Sequence, residues 1–249
     1  MSSINLKEIS TRAPEDWDKD QKKVELDAIL EELDELQNLL YAESKHSVLI
    51  VLQGMDAAGK DGLIRDVFSR INPQGVSVTS FKVPTKEELS HDFLWRIHKN
   101  APEKGMIKVF NRSHYEDILV TRVNNIIDDV TAEKRVKAIN DFEHLLSKHN
   151  NTQVLKFYLH ISQDEQYERL VERMKIPRKM WKYNANDFSE SAKWDSYMKC
   201  YEDAFNNCGD IPWHIVPSDQ NWCKSYIVAK TLRDTLTSLN MQYPLIGND

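Results

Sequence analysis

The sequence predicts an α/β protein built on a parallel sheet, and two kinds of segment predict it. Short continuous apolar runs such as "SVLIVLQ" (47–53) have the length and composition of strands buried on both faces. Longer segments between such runs carry apolar residues at helical spacing. Strands that alternate with helices imply a parallel sheet covered on both sides. No repeat, low-complexity tract or Gly/Ser linker divides the 249 residues, so residues 1–249 read as one domain.

Taken in order, the first 20 residues are polar and irregular, with Pro14 as a helix start. From Lys22 to Tyr41, Leu26, Ile29, Leu30, Leu33, Leu36 and Leu40 fall on one helical face. With the preceding residues they form an N-terminal helical extension (1–45) laid over the core. The first strand, 47–53, is followed by a glycine loop and a helix carrying Leu63, Ile64, Val67, Phe68 and Ile71. "VSVTSF" (76–81) is a second strand. Thr85 and Glu88 form a capping box for a helix bearing Leu89, Phe93, Leu94 and Ile97. "GMIKVFNR" (105–112) is a third strand, and 131–149 a helix with Val136, Ile139, Phe142, Leu145 and Leu146. "TQVLKFYLHIS" (152–162) and "WHIVPS" (213–218) complete five strands. Ser162 and Glu165 cap the helix after the fourth, and a last helix spans 222–239.

Hydrophobic residues at 41% and charged residues at 29% are ordinary for a globular domain. A formal charge of −6 means that any polyanion site must be a local concentration of Lys and Arg. Cys200, Cys208 and Cys223 show neither paired nor metal-binding spacing and read as reduced thiols. No signal peptide and no membrane-spanning run is present, so a cytoplasmic protein with no membrane partner is expected.

"VLQGMDAAGKDG" (51–62) nearly matches G-x-x-x-x-G-K-[ST], the loop whose backbone amides cradle phosphates. Gly54, Gly59 and Lys60 fit, with Ala57 and Ala58 between them, but Asp61 replaces the hydroxyl that holds magnesium. An unpaired carboxylate beside phosphate is repelled, whereas a magnesium ion between the two reverses the sign. Asp56, inside the loop, is the better metal ligand; for Asp61, metal contact and helix-start capping remain equal readings. At the end of the third strand, "VFNRSHYED" (109–117) places Asn111, Arg112, His114, Glu116 and Asp117 toward the loop. Arg112 suits a phosphoryl group in flight, and Arg122 reaches the same region from the following helix. The densest basic stretch, 168–184, contains Arg169, Arg173, Lys175, Arg178, Lys179 and Lys182, with Pro177 breaking the helix. It reads as a helical lid, about 168–190, closing over phosphates. No nucleic-acid-binding motif accompanies it.

These motifs together resemble the polyphosphate kinase 2 family. The resemblance runs from about Trp17 to the last helix and rests on "GMDAAGKDG", "FKVPTKEELSHDFLWR", "FNRSHYEDILVTRV" and "PRKMWKYNANDFSESAKWDSY". It implies a P-loop kinase three-layer sandwich with a central five-stranded parallel sheet. It also implies phosphoryl transfer between inorganic polyphosphate and a nucleotide, with Mg2+ as cofactor. By motif, Asp56 would hold the metal, Lys60 would bind phosphates, and Arg112 and Arg122 would contact the transferring group. Lys82 would lie on the polyphosphate path, and Arg173, Arg178 and Lys182 match the lid loosely. "NRSHYED" resembles the class III subgroup, which phosphorylates AMP and ADP. That resemblance makes Glu116, with Asn111 and Arg112, the group to watch for nucleotide choice.

The mechanism expected is direct in-line transfer to an already ionised nucleotide oxygen, with no strong general base and His114 structural or positioning. Two rivals share the fold: an ATP-dependent nucleotide or small-molecule kinase, and a non-catalytic nucleotide-binding regulator. Adenine nucleotides are the expected acceptors, guanine nucleotides being further candidates. Leu26 to Leu40 and Trp194, Tyr197, Met198 and Tyr201 pack either internally or against a second copy in a homo-oligomer. Trp181 and Tyr183, near the lid, read as packing residues.

Overall fold

A computed structural model describes residues 3–245. The element order is α1 (Lys19–Glu43), β1 (Ser47–Gln53), α2 (Lys60–Phe68), β2 (Val76–Ser80), α3 (Lys86–Leu89), α4 (Trp95–His98), β3 (Ile107–Asn111), α5 (Val120–Val123), α6 (Asp129–His149), β4 (Thr152–His160), α7 (Gln163–Lys175), α8 (Pro177–Met180), α9 (Asn186–Ser191), α10 (Trp194–Asn207), β5 (Trp213–Pro217) and α11 (Asn221–Ser238). All strand pairs are parallel, in the order β2-β3-β1-β4-β5. Every residue of β1 is buried and β4 is nearly so, which requires helices on both faces of the sheet.

The central position of β1 sets the site. Leu52 of β1 pairs with Asn111 of β3, and the Arg112 amide donates to the Leu52 carbonyl at 3.1 Å. The loop after β1 and the turn after β3 therefore leave the sheet side by side at its carboxyl edge, where open α/β sheets bind ligands.

Several expectations change in detail. Helix α1 starts at Lys19 rather than Pro14, because the Asp18 side chain accepts from the Gln21 amide. It lies along α11, with Ile29, Leu30, Leu33 and Leu40 in the core. Tyr197, Met198 and Tyr201 are buried on α10, a helix not assigned from the sequence. The apolar groups that suggested self-association thus pack largely within the chain. The N-terminal segment is tied down as well: the Ile4 and Leu6 amides donate to Asn206 and Glu202, and Thr11 to Asp219.

The Thr85–Glu88 capping box forms, with bonds of 2.7 and 3.2 Å, but its helix ends after four residues. Leu89 is exposed and gains nothing from the core. The Asp92 side chain then accepts from the Leu94 amide and starts a separate turn, so one expected helix becomes two. All three cysteines are buried and free. Among the described residues, no helix is long and apolar enough to cross a membrane.

Candidate active site

The loop between β1 and α2 bends through left-handed backbone at Ala57 (φ 64°) and Gly59 (φ 100°). Gly54 has φ 152°, and a Cβ there would stand 3.0 Å from the Leu159 carbonyl, so only glycine lets β1 turn so close to β4. Helix α2 then begins at Lys60 with Gly59 as its cap residue and no capping side chain, leaving its first amides to a ligand.

Lys60 is nearly buried, and its ammonium donates to the Gly54 carbonyl at 2.6 Å and the Met55 carbonyl at 3.1 Å. Burial and the neighbouring Arg112 charge pull its pKa down to about 8, against the pull of Asp56, Glu116 and Asp61. Arg112 itself has φ 61°, unusual for a non-glycine residue, and this turns its guanidinium back over the loop. It hydrogen-bonds Asp56 and stands 3.8 Å from Glu116. Burial opposes ionisation of Asp56, but Arg112, Lys60 and Arg173 outweigh it and hold the carboxyl below its usual range. At Glu116 burial wins, with help from the Asp56 charge, and the pKa rises despite Arg112 and Lys60.

Asp61 does not cap α2. Its carboxylate accepts from Asn111 at 2.9 Å and from Lys182 at 2.6 Å, linking the helix start to the third strand and to the lid. Those two bonds overcome partial burial and lower its pKa. On the lid, Arg173 bonds Asp187 at 2.6 Å.

Three cavities meet around the loop. One of about 240 Å³ lies against Gly54 and Asp56 and is lined by Glu116, Gln166, Asn184 and Tyr201 among others. A second, about 630 Å³, is lined by Lys60, Lys82, Arg112, Arg173 and Lys182, as well as by Asn111 and both loop aspartates. A third, about 750 Å³, opens toward α7 and includes Ala57, Gly59, Arg173, Arg178, Lys179 and Lys182. The structure thus gathers Gly54, Asp56, Ala57, Gly59, Lys60, Asp61, Lys82, Asn111, Arg112, Glu116, Arg173, Arg178 and Lys182 around connected space. Ala58 is wholly buried, and its carbonyl faces the protein interior.

Other residues depart from expectation. Arg122 is not brought to the cavities: its guanidinium bonds Asp129 at 2.8 Å and Asp203 at 3.0 Å. The short α5 directs it toward α6 and α10 instead. Asp117 turns to Arg96 and Arg135. His114 is fully buried, 3.2 Å from Glu143, and is structural. Trp181, read as a packing residue, is 77% exposed on the rim shared by the two larger cavities, and Tyr183 is 47% exposed.

Sequence reasoning missed Asp187, Gln166 and Tyr201. Asp187 lies in the lid segment with no spacing signal, and Gln166 donates to the Asp56 carbonyl at 3.0 Å from a different helix. Tyr201, which by sequence packs either internally or against a second copy, lines the 240 Å³ cavity.

A strand, glycine loop, buried lysine and helix start, with a cationic lid opposite, define a P-loop kinase. The comparisons narrow the class. The Polyphosphate kinase 2 family model matches residues 16–244, and the chain belongs to that family. It is 49% identical over 214 residues to the AMP/ADP-polyphosphate phosphotransferase of Meiothermus ruber, covering 85% of this chain and 80% of that one. To the ADP-polyphosphate phosphotransferase of Rhodopseudomonas palustris it is 44% identical, covering 86% and 79%. The crystal structure of polyphosphate kinase 2 from Arthrobacter aurescens TC1 superposes with a TM-score of 0.95 at 41% identity, covering 100% of this chain and 90% of that one.

Proposed function

We propose that this protein transfers phosphoryl groups between inorganic polyphosphate and AMP or ADP, making ADP or ATP. The carrying observation is the contrast between cavities meeting at one loop. The 240 Å³ cavity holds Asp56, Glu116, Asp187 and Glu190 against Arg112, with amides from Asn124, Gln166, Asn184 and Asn186. That lining repels a polyanion and offers hydrogen bonds to a nucleoside. The 630 Å³ cavity, where Lys60, Lys82, Arg112, Arg173 and Lys182 converge, suits a chain of phosphates. Asp56 and Arg112 line both, and Lys60 lies on the side of the larger one. An acceptor oxygen entering from one side faces a phosphoryl group on the other, an arrangement for in-line transfer.

Asp56 and Asp61 fit magnesium, a hard cation that binds through one or two carboxylates plus substrate phosphates. Asp56 is kept ionised at neutral pH, and both carboxylates line the 630 Å³ cavity. Magnesium bound there would neutralise charge shared between carboxylate and phosphates. Lys60 and Arg112 supply fixed positive charge to the transferring group, and the lid residues Arg173, Arg178 and Lys182 screen the chain and exclude water. A nucleotide phosphate is already ionised, so no side chain must remove a proton. Glu116, half-buried beside Arg112 and lining the smaller cavity, is the residue we assign to the choice between AMP and ADP. Buried free thiols support a reducing, cytoplasmic setting.

The test supplies AMP, ADP, GMP or GDP with polyphosphate and magnesium and follows products in both directions. Transfer that requires ATP and ignores polyphosphate would overturn the reading in favour of an ATP-dependent kinase. Asp56→Ala should lower kcat by at least about a hundredfold, the scale of one lost electrostatic group, while circular dichroism stays unchanged. Near-normal turnover by this variant would refute the metal role.

A further inference from the structure

A second set of cations holds the backbone of the phosphate loop: Lys224 is buried beneath it, and Arg169 reaches it from the edge of the 750 Å³ cavity. Lys224, on α11, is 1% exposed, and its ammonium donates to the Ala58 carbonyl at 2.9 Å and to Asn221 at 2.7 Å. The Ser218 hydroxyl, just after β5, donates to the same carbonyl at 2.8 Å. The Arg169 guanidinium donates to the carbonyls of Ala57 and Ala58, both at 3.2 Å. Its other nitrogen anchors to the Ser218 and Asp219 carbonyls at 2.9 and 2.8 Å. One carbonyl, that of Ala58, therefore accepts from three side chains on two helices and a strand end.

The consequence follows from the planarity of the peptide unit. In a trans peptide the carbonyl and the next N–H point in opposite directions. Drawing the Ala58 carbonyl inward turns the Gly59 N–H outward, toward the two larger cavities that Gly59 lines. Left-handed Gly59 leading into helical Lys60 then sets the Gly59 amide beside the uncapped first amides of α2, a concave nest for an anion, while the Ala58 amide donates to the Met55 carbonyl at 3.2 Å. Gly59 belongs to the same construction. A Cβ there would stand 2.2 Å from the Lys224 ammonium nitrogen, so glycine is demanded by the brace as well as by its φ of 100°. Burying an amine is costly: burial and the Arg169 charge pull the Lys224 pKa down to about 7, against Asp66 and Glu165, with Lys60 adding to the fall. A methionine would fill the same space without that cost.

We propose that Lys224, with Ser218 and Arg169, is a positioning group that fixes the outward orientation of the phosphate loop's amides and so sets the enzyme's grip on polyphosphate. Lys224 and Ser218 touch the loop from behind and line none of the three cavities around it, whereas Arg169 also borders the 750 Å³ cavity. The inference rests on the proposed polyphosphate activity, and the two fail separately. No polyphosphate-dependent transfer by the unaltered protein defeats the activity, whereas an active protein indifferent to the brace defeats the inference.

The experiment measures KM for polyphosphate and for ADP separately in Lys224→Met and Ser218→Ala, with thermal unfolding of each. A rise of fivefold or more in KM for polyphosphate, with KM for ADP unchanged within twofold, is expected for Lys224→Met, and a smaller rise for Ser218→Ala. If Lys224→Met does not fold, Ser218→Ala decides alone, by whether its KM for polyphosphate rises while its KM for ADP does not. Unchanged KM for polyphosphate overturns the proposal. An equal rise in both constants also overturns it, because a general loosening of the fold would move both.

Discussion

Two groups of opposite charges lie within one molecule and do opposite work. Beneath the turn after β3, Lys156 on β4 donates to Glu143 of α6 at 2.7 Å, to the Tyr115 hydroxyl at 2.9 Å and to the Cys208 carbonyl at 2.8 Å. Glu143 also meets His114 and accepts from Tyr115 at 2.8 Å, and none of these four side chains is more than 2% exposed. At the lid, Lys182 pairs with Asp61 and Lys179 with Glu172, with side chains about one-third to one-half exposed. The sealed group has no alternative partners, so it holds the 114–117 turn, and through it Arg112 and Glu116, in one place. The lid pairs have water and phosphate as alternatives. In the proposed reaction they would hold the lid loosely and give up their lysines to a stronger anion.

The largest effect that sharpens this contrast comes from cutting the sealed group. Glu143→Leu leaves the Lys156 charge buried and unpaired and should cost about 3–5 kcal/mol in denaturant unfolding. The double variant Glu143→Leu with Lys156→Met should recover most of that loss, because two apolar groups replace two desolvated charges. If the double variant is as unstable as the single, the group is held by something other than its charges.

Lys60 lies between the two extremes, buried but lining the 630 Å³ cavity. Its pKa in the folded protein is about 8, below the ordinary 10.5. The burial penalty is fully present below pH 8 and is relieved as pH rises toward 10.5, because the unfolded chain holds more protons across that window. Its contribution to stability therefore grows there, while the affinity of the free protein for polyphosphate falls above pH 8 as the ammonium is lost. Titration of binding between pH 7 and 9.5 reads this directly, and a flat profile contradicts it.

The smallest effect on stability belongs to the lid. Lys182→Ala should change unfolding by no more than about 1 kcal/mol, as for exposed pairs. It should raise KM for polyphosphate severalfold, and salt should shrink the difference from the unaltered protein. A large loss of stability instead would erase the distinction between lid and sealed group.

Much of the site is legible in the chain because its parts are local. Gly54 to Asp61 carry their phosphate-loop meaning within eight consecutive positions, and Asn111, Arg112 and Glu116 follow one strand end. Arg122 illustrates where local reading stops. Its distance along the chain from Arg112 is compatible with the site, yet the four-residue α5 turns it to Asp129 and Asp203, the latter on a helix more than 70 residues away. Lys156 interrupts an apolar strand and carries no sign of its partner, since Glu143 reads as one polar position on an amphipathic helix. The residues behind the loop, Ser218 and Lys224, belong to no motif.

By itself, the sequence determined the alternation of strands and helices, the five-stranded parallel sheet and the P-loop between the first strand and its helix. Each of these follows from periodicity or from a short run of backbone-specific residues. Tertiary structure alone decided which charges line the cavities and which face only each other. It paired Asp61 with Asn111 and Lys182, withdrew Arg122 and Asp117, and set three donors on the Ala58 carbonyl. The physical reason is that a charge acts over a few ångströms of space, and its neighbours in space come from elements far apart in the chain.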